Sequence, residues 1–175
     1  MPAFRVKPFV VGNKNDRNDA LAIAEAALRP SMRFVKVKTL AQQDIQTVFR
    51  IRERVVRNRT GLVNQIRGLL SEYGIIAPKQ LARLRQAIPD ALERTDSQLT
   101  VVARRMIARL HQQWLLMDEE LKTLNAELNA VLDAHTDAAL LKSVPGIGPV
   151  GAALVIASVG DGQQFRNGRQ LAAWA

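Results

Sequence analysis

The sequence predicts a mainly α-helical protein built around two long helices. Three observations carry this. Between residues 40 and 73, apolar pairs return every seven positions: Val48/Phe49, Val55/Val56, Leu62/Val63 and Leu69/Leu70. Between residues 98 and 135, a stricter seam runs through Ala103, Ile107, Leu110, Trp114, Met117, Leu121, Leu124, Leu128 and Val131. Such heptad spacing suits a helical hairpin or a coiled coil. Near the C-terminus, Pro145-Gly146-Ile147-Gly148 lies between two short helical segments, in the layout of a helix-hairpin-helix.

Taken in order, residues 4–11 (FRVKPFVV) read as a short strand interrupted by Pro8, followed by a turn at residues 12–15. A helix starts near Asp16 and runs to Leu28, where Arg29-Pro30 stops it. Residues 33–37 (RFVKV) alternate and suit an edge strand. The first long helix ends at Gly74, after Ile45, Ile66 and Tyr73 have extended its apolar face. At 1.5 Å per residue it is about 50 Å long. A compact globule of this length is only about 40 Å across. The two long helices are therefore expected to protrude as an antiparallel hairpin or to pair with a second chain. Residues 78–88 form a short helix between them, closed by Pro89-Asp90. One or two helical turns over 136–142 precede the glycine hairpin. An apolar helix follows over 149–159 with Pro149 in its first turn, then a turn at 160–162 and a last helix from Asn167.

Composition narrows the function. The chain has 175 residues and no cysteine, which excludes a disulfide scaffold, a thiolate metal site and a cysteine nucleophile. A reducing cytoplasm suits it. The longest apolar run, 144–160, is broken by Pro145, Pro149 and four glycines, so no membrane span is expected. Nor does the N-terminus read as a secretory leader. Charge is the stronger signal. Eighteen of the 25 cations are arginine, and residues 1–110 hold 21 cations against 9 acids. Arginine offers fixed charge and a planar donor fork, so this excess points to a polyanion, with solvated helix faces as the plainer explanation.

Several constellations carry chemistry. Asp16 and Asp19 stand three apart at a helix start, on one face, where they could share a Mg²⁺ or simply cap the helix. Arg50, Arg54 and Arg57 form one helical stripe. Arg52 and Arg59 fall in the phase held elsewhere by Ile45 and Ile66, so each needs a partner: a polyanion, or acids of the 118–120 stretch in another chain. Arg67 adds a further cation. At the glycine hairpin, Gly146 and Gly148 could admit a phosphate to the backbone and to the free N–H groups of the next helix, with Lys142 nearby. The alternative is an ordinary tight corner. His111 and His135 lack ligand spacing, and Ser143 and Ser158 have no adjacent base.

Together, Asn13-Lys14-Asn15-Asp16-Arg17-Asn18-Asp19-Ala20, Arg29-Pro30-Ser31-Met32-Arg33-Phe34-Val35, Arg59-Thr60-Gly61-Leu62-Val63-Asn64-Gln65-Ile66-Arg67-Gly68-Leu69-Leu70, Pro145-Gly146-Ile147-Gly148 and Phe165-Arg166-Asn167-Gly168-Arg169 with Leu171-Ala172-Ala173-Trp174 form a pattern. In this order it resembles the DEDD-type insertion-sequence transposases (the IS one-ten group) over essentially the whole chain. The resemblance implies a RuvC-like (RNase H-like) nuclease fold whose four acids bind Mg²⁺, the last two falling on Asp16 and Asp19. It implies a long helical region that supports dimer contacts, a C-terminal domain with a serine nucleophile, and a structured guide RNA.

On that resemblance residues 1–38 are expected to be the C-terminal, strand-helix remnant of the RuvC-like domain. Residues 39–135 are then the long helical region, and 136–175 the start of the C-terminal transposase domain with its helix-hairpin-helix. The first two acids and the serine have no counterpart here, so the chain reads as an internal or truncated fragment. Mg²⁺ binding by it is expected to be weak or absent, and catalysis by it alone absent. The expected function is DNA binding and DNA transposition, in the cytoplasm, by a homo-oligomer formed through the long helices. The competing expectations are a non-catalytic coiled-coil nucleic-acid-binding or adaptor protein, and a structural helical protein whose charge only keeps it soluble.

Overall fold

A computed structural model describes the whole chain except Pro2, Arg33, Val35, Lys36, Asp96, Ser97, Asp161 and Ala175, and the side chain of Trp174. The chain forms two compact units, Met1–Lys38 and Thr39–Ala175. Among the described residues there are helices and no strand.

In the first unit, the strand expected over residues 4–11 is replaced by a helical turn, α1 (Ala3–Val6), and a 3-10 turn (Lys7–Phe9) with Pro8 near its start. A strand satisfies its backbone only by pairing, and among the described residues no other strand is present. Local turns close those hydrogen bonds within the segment instead. The expected edge strand over 33–37 falls mostly on Arg33, Val35 and Lys36, outside the described residues. Helix α2 (Asp16–Ala27) is capped by Asn15, whose side chain accepts the Asn18 N–H at 2.8 Å. Asn15, not Asp16, is thus the N-cap, and Asp16 and Asp19 lie in the first turn, where negative charge suits the helix dipole. Only Ala22 and Ala26 of α2 are fully buried.

The second unit is built on α3 (Leu40–Glu72) and α5 (Val101–Asp133). A reciprocal capping box starts α3: the Gln42 N–H donates to Thr39 Oγ1 at 3.2 Å, and the Thr39 N–H donates to Gln42 Oε1 at 3.0 Å. At its other end Gly74 takes a φ of 74°, a left-handed conformation that ends helices. The two helices are antiparallel. Arg52 Nε donates to Asn125 Oδ1 at 2.7 Å, and Arg59 pairs with Asp118 at 3.1 Å. Seven residues forward on α3 match seven back on α5, so both helices step by one heptad.

The seam of α5 is covered within the chain. Ala103, Ile107, Trp114, Leu121 and Leu128 are buried, and Leu110, Met117, Leu124 and Val131 are half-buried. Of the two arrangements expected for the long helices, the antiparallel hairpin is the one the chain forms. Each large side chain buried here stabilises the pair by about 1.5–3 kcal/mol.

Two apolar clusters sit at opposite ends of the pair. One joins Val63, Ile66 and Leu70 of α3, Ile107 and Trp114 of α5, and Leu84, Ile88 and Ala91 of α4 (Leu81–Glu93). Helix α4 runs straight through Pro89, contrary to the expected stop there. Packing outweighs the lost N–H, and Arg104 holds the segment after it by donating to the carbonyls of Leu92, Arg94 and Leu99. The other cluster joins Ile45, Leu128 and Leu132 to Ala138 of α6 (Ala138–Lys142) and to Ala152, Ala153, Ile156 and Ala157 of α7 (Pro149–Val159). Gln42 Nε2 donates to the Ile156 carbonyl at 3.1 Å and ties α3 to α7. Helix α8 (Gly168–Trp174) follows.

Candidate nucleic-acid interface

The five arginines of α3 separate into two groups. Arg50, Arg54 and Arg57 are exposed and make no ion pair or side-chain hydrogen bond with the described residues. They keep the spacing i, i+4, i+7, so one stripe of the helix presents three fixed charges to solvent. Arg52 and Arg59 turn inward toward α5. Arg52 also pairs with Glu53 at 3.1 Å. Asp118, whose side chain is 14% exposed, accepts from Arg59 on one oxygen and from Arg85 of α4 on the other, at 3.1 and 3.2 Å. The pairing expected with the 118–120 stretch is thus made by Arg59 within one chain, whereas Arg52 meets Asn125 and Glu53. Arg85 is a member that sequence reading missed. A signal for its partner existed: Arg52/Arg59 and Asn125/Asp118 are both pairs seven apart, each placed to meet the other across an antiparallel seam.

Arg67 is also engaged. Its guanidinium donates to the carbonyls of Pro78 and Lys79 and to Asn64 Oδ1, bracing the loop into α4. At the C-terminal corner, Lys142 pairs with Asp133 at 2.6 Å. Gly146 has φ 89°, in the region open to glycine, whereas Gly148 is extended and forms the N-cap of α7. No atom lies within 4 Å of a Cβ built on either glycine, so the backbone is accessible there. Ser143 Oγ donates to the Leu140 carbonyl.

In the first unit, Asp19 lines an open cavity of about 930 Å³ with Lys7, Lys14, Gly12 and Ile23 among its walls. Asp16 is exposed. No group of three or more acids or histidines that could hold a metal occurs among the described residues. Two carboxylates cover part of an octahedral Mg²⁺ shell, and lysines beside one of them oppose a cation. The described residues alone do not fit a complete Mg²⁺ site.

His111 lies buried beside Trp114, ring centroids 6.1 Å apart, and its Nε2 and the Trp114 Nε1 find no hydrogen-bond partner among the described residues. Burial, reinforced by the Arg85 charge, lowers the His111 pKa below its ordinary value of 6.5. Among the described residues no helix is long and apolar enough to cross a membrane.

Comparison with known proteins adds identity to this geometry. A family described as "Transposase" matches residues 1–75, and the "Transposase IS116/IS110/IS902 family" matches residues 138–175. The chain is 47% identical over 169 residues to the transposase for insertion sequence element IS1111A of Coxiella burnetii, covering 97% of this chain and 46% of that protein. It is 41% identical to a probable family 20 transposase of Pseudomonas aeruginosa, covering 97% and 50%. It is 35% identical to the transposase for IS1328 of Yersinia enterocolitica, covering 96% and 49%. The chain thus spans about half the length of the curated relatives it matches. No solved structure matches it. With both families met in order and such identity running along nearly all its length, the chain belongs to the IS110-type insertion-sequence transposases.

Proposed function

We propose that this chain contributes nucleic-acid binding and self-association to DNA transposition by an insertion sequence, in the cytoplasm. One observation supports the binding role above the others: Arg50, Arg54 and Arg57 stand exposed and unpaired in one stripe, while Arg52 and Arg59 are spent on the fold. Three guanidinium groups with open donor forks favour phosphate oxygens. DNA is the first partner, and a structured guide RNA offers the same backbone chemistry. Gly146 and Gly148 supply an accessible backbone for a further phosphate contact, with Lys142 as the nearby charge. Arg67 contributes long-range charge rather than direct contact.

The 1–38 unit corresponds in this reading to the end of a RuvC-like domain, in which Asp16 and Asp19 contribute two of the four acids that hold Mg²⁺ in longer relatives. In this chain alone Mg²⁺ binding is weak, and no strand transfer follows. Membership of a transposase family favours this reading over a free-standing adaptor.

The experiment is a salt titration of duplex binding by the wild type and by an Arg50→Gln/Arg54→Gln/Arg57→Gln variant. Each phosphate contact contributes a slope of about 0.9 in log K against log salt. The variant is expected to lose about two to three units of slope at unchanged helicity, because Arg and Gln have similar helix propensity. An unchanged slope would remove nucleic acid from this stripe.

A further inference from the structure

One side chain serves two helices. Gln42 is the third residue of α3. Its Oε1 accepts the Thr39 N–H at 3.0 Å, and its backbone N–H donates to Thr39 Oγ1 at 3.2 Å, which together cap the helix. Its Nε2 donates at 3.1 Å to the carbonyl of Ile156, 114 residues on. That carbonyl stands in the last turn of α7 and also accepts the Gly160 N–H at 3.1 Å. Both ends of the amide are thus engaged, between the start of one helix and the end of another.

The residue types fit this double duty. A capping box takes glutamate as readily as glutamine, and the positive end of a helix dipole favours glutamate. Only glutamine also carries an N–H for a carbonyl. Glutamate would turn a carboxylate oxygen onto the negative end of the α7 dipole. The facing position leaves room for the amide. Gly160 has φ 68°, and a Cβ there would stand 2.6 Å from Gln42 Nε2. Any other residue at 160 would strain the backbone and displace the amide.

We propose that Gln42 is a latch, which makes the docking of α7 depend on the capping of α3. Thr39 is exposed and is the first residue of its unit, where the chain enters it. When Thr39 is drawn off the cap, Oε1 loses its anchor, the amide turns, and Nε2 leaves Ile156. Helix α7 is then held by its apolar contacts, which come mostly from alanines. Gly148 is the N-cap of α7, so the accessible backbone at 146–148 shifts with it. A displacement at residue 39 thereby reaches the glycine corner through one side chain. The inference concerns the free chain and does not rest on the nucleic-acid reading.

The test is amide exchange of the full chain, read separately over the first turn of α3 and over α7. Gln42→Glu keeps the cap and loses the tie. Its α7 is expected to exchange at least about tenfold faster, with the first turn of α3 within about twofold of the wild type. Thr39→Ala removes the hydroxyl cap and is expected to speed both segments roughly fivefold. With glutamate at 42, the same Thr39→Ala change is expected to speed the first turn of α3 and leave α7 as it was, because no latch remains to release. Thr100→Ala removes the corresponding cap of α5, where Thr100 Oγ1 accepts the Ala103 N–H, and is expected to leave α7 at the wild-type rate. An α7 that keeps the wild-type rate in Gln42→Glu would overturn the latch. So would a Thr39→Ala effect that stops at α3, that is equally large on α7 with glutamate at 42, or that Thr100→Ala reproduces.

Discussion

At the scale of single residues, the second unit keeps polar groups where apolar ones would have been simpler. His111 is one. Its lowered pKa means that the folded state resists the proton that the unfolded chain accepts. The sign follows: above 6.5 both states are neutral at this position and no penalty exists, whereas below it the unfolded state binds more protons and stability falls. Melting temperature measured from neutral pH downward is expected to drop below 6.5, and to drop less in His111→Leu. That variant also removes the unpartnered Nε2 from the interior, so at neutral pH it is expected to be about as stable as the wild type. An identical pH profile in both proteins would remove His111 as the cause. The Asp118 carboxylate differs, because its two oxygens each meet an arginine from a different helix, and its burial is compensated.

At the scale of elements, α4 shows where sequence rules yield to packing. Pro89 sits well inside a 13-residue helix, where it removes one hydrogen bond and crowds the carbonyl four residues earlier. Leu84, Ile88 and Ala91 nevertheless bury one face of that helix in the cluster. Pro89 is exposed, so replacing it with alanine disturbs no packing. Pro89→Ala is expected to stabilise the protein by about 1–2 kcal/mol, less than the full helix-interior cost of proline because alanine frees the unfolded chain. Denaturant unfolding would register this as a raised midpoint. The same helix marks the limit of what the sequence made legible. Heptads placed α3 and α5 and marked most of their buried positions, since periodicity reports burial directly; His111 and Leu132 of α5 are buried outside the predicted seam. The inward turn of Arg52 and Arg59 was legible as a need for partners and, for Arg59, as far as the 118–120 stretch; that Asp118 sits in the same chain, and that Asn125 serves Arg52, depends on a chain reversal between residues 73 apart for Arg52 and 59 apart for Arg59. The 4–11 segment misled because its β-branched residues suit a strand, and strand formation depends on a neighbour that a local reading does not supply.

At the scale of the whole molecule, the second unit has two cores and not one. Val63, Ile66, Ile107 and Trp114 fill one end of the α3–α5 pair, and an alanine-rich cluster around Ile45, Leu132 and α7 fills the other. The stretch between holds only the buried Val55 and Leu121, with the arginine rungs to Asn125 and Asp118 on either side. Alanine buries little area, so the α7 end has the smaller reserve of apolar stabilisation per residue. Openings should therefore come in two sizes. Amide exchange in α6, α7 and the first turns of α3 is expected to proceed through a cheaper opening than exchange in α4 and the middle of α5. A single exchange free energy across the unit would contradict this. The polar rungs then act as a firebreak: a breach at the C-terminal corner can open and reseal while the tryptophan end stays shut, so one rod-like pair offers a corner that can yield and a stem that does not.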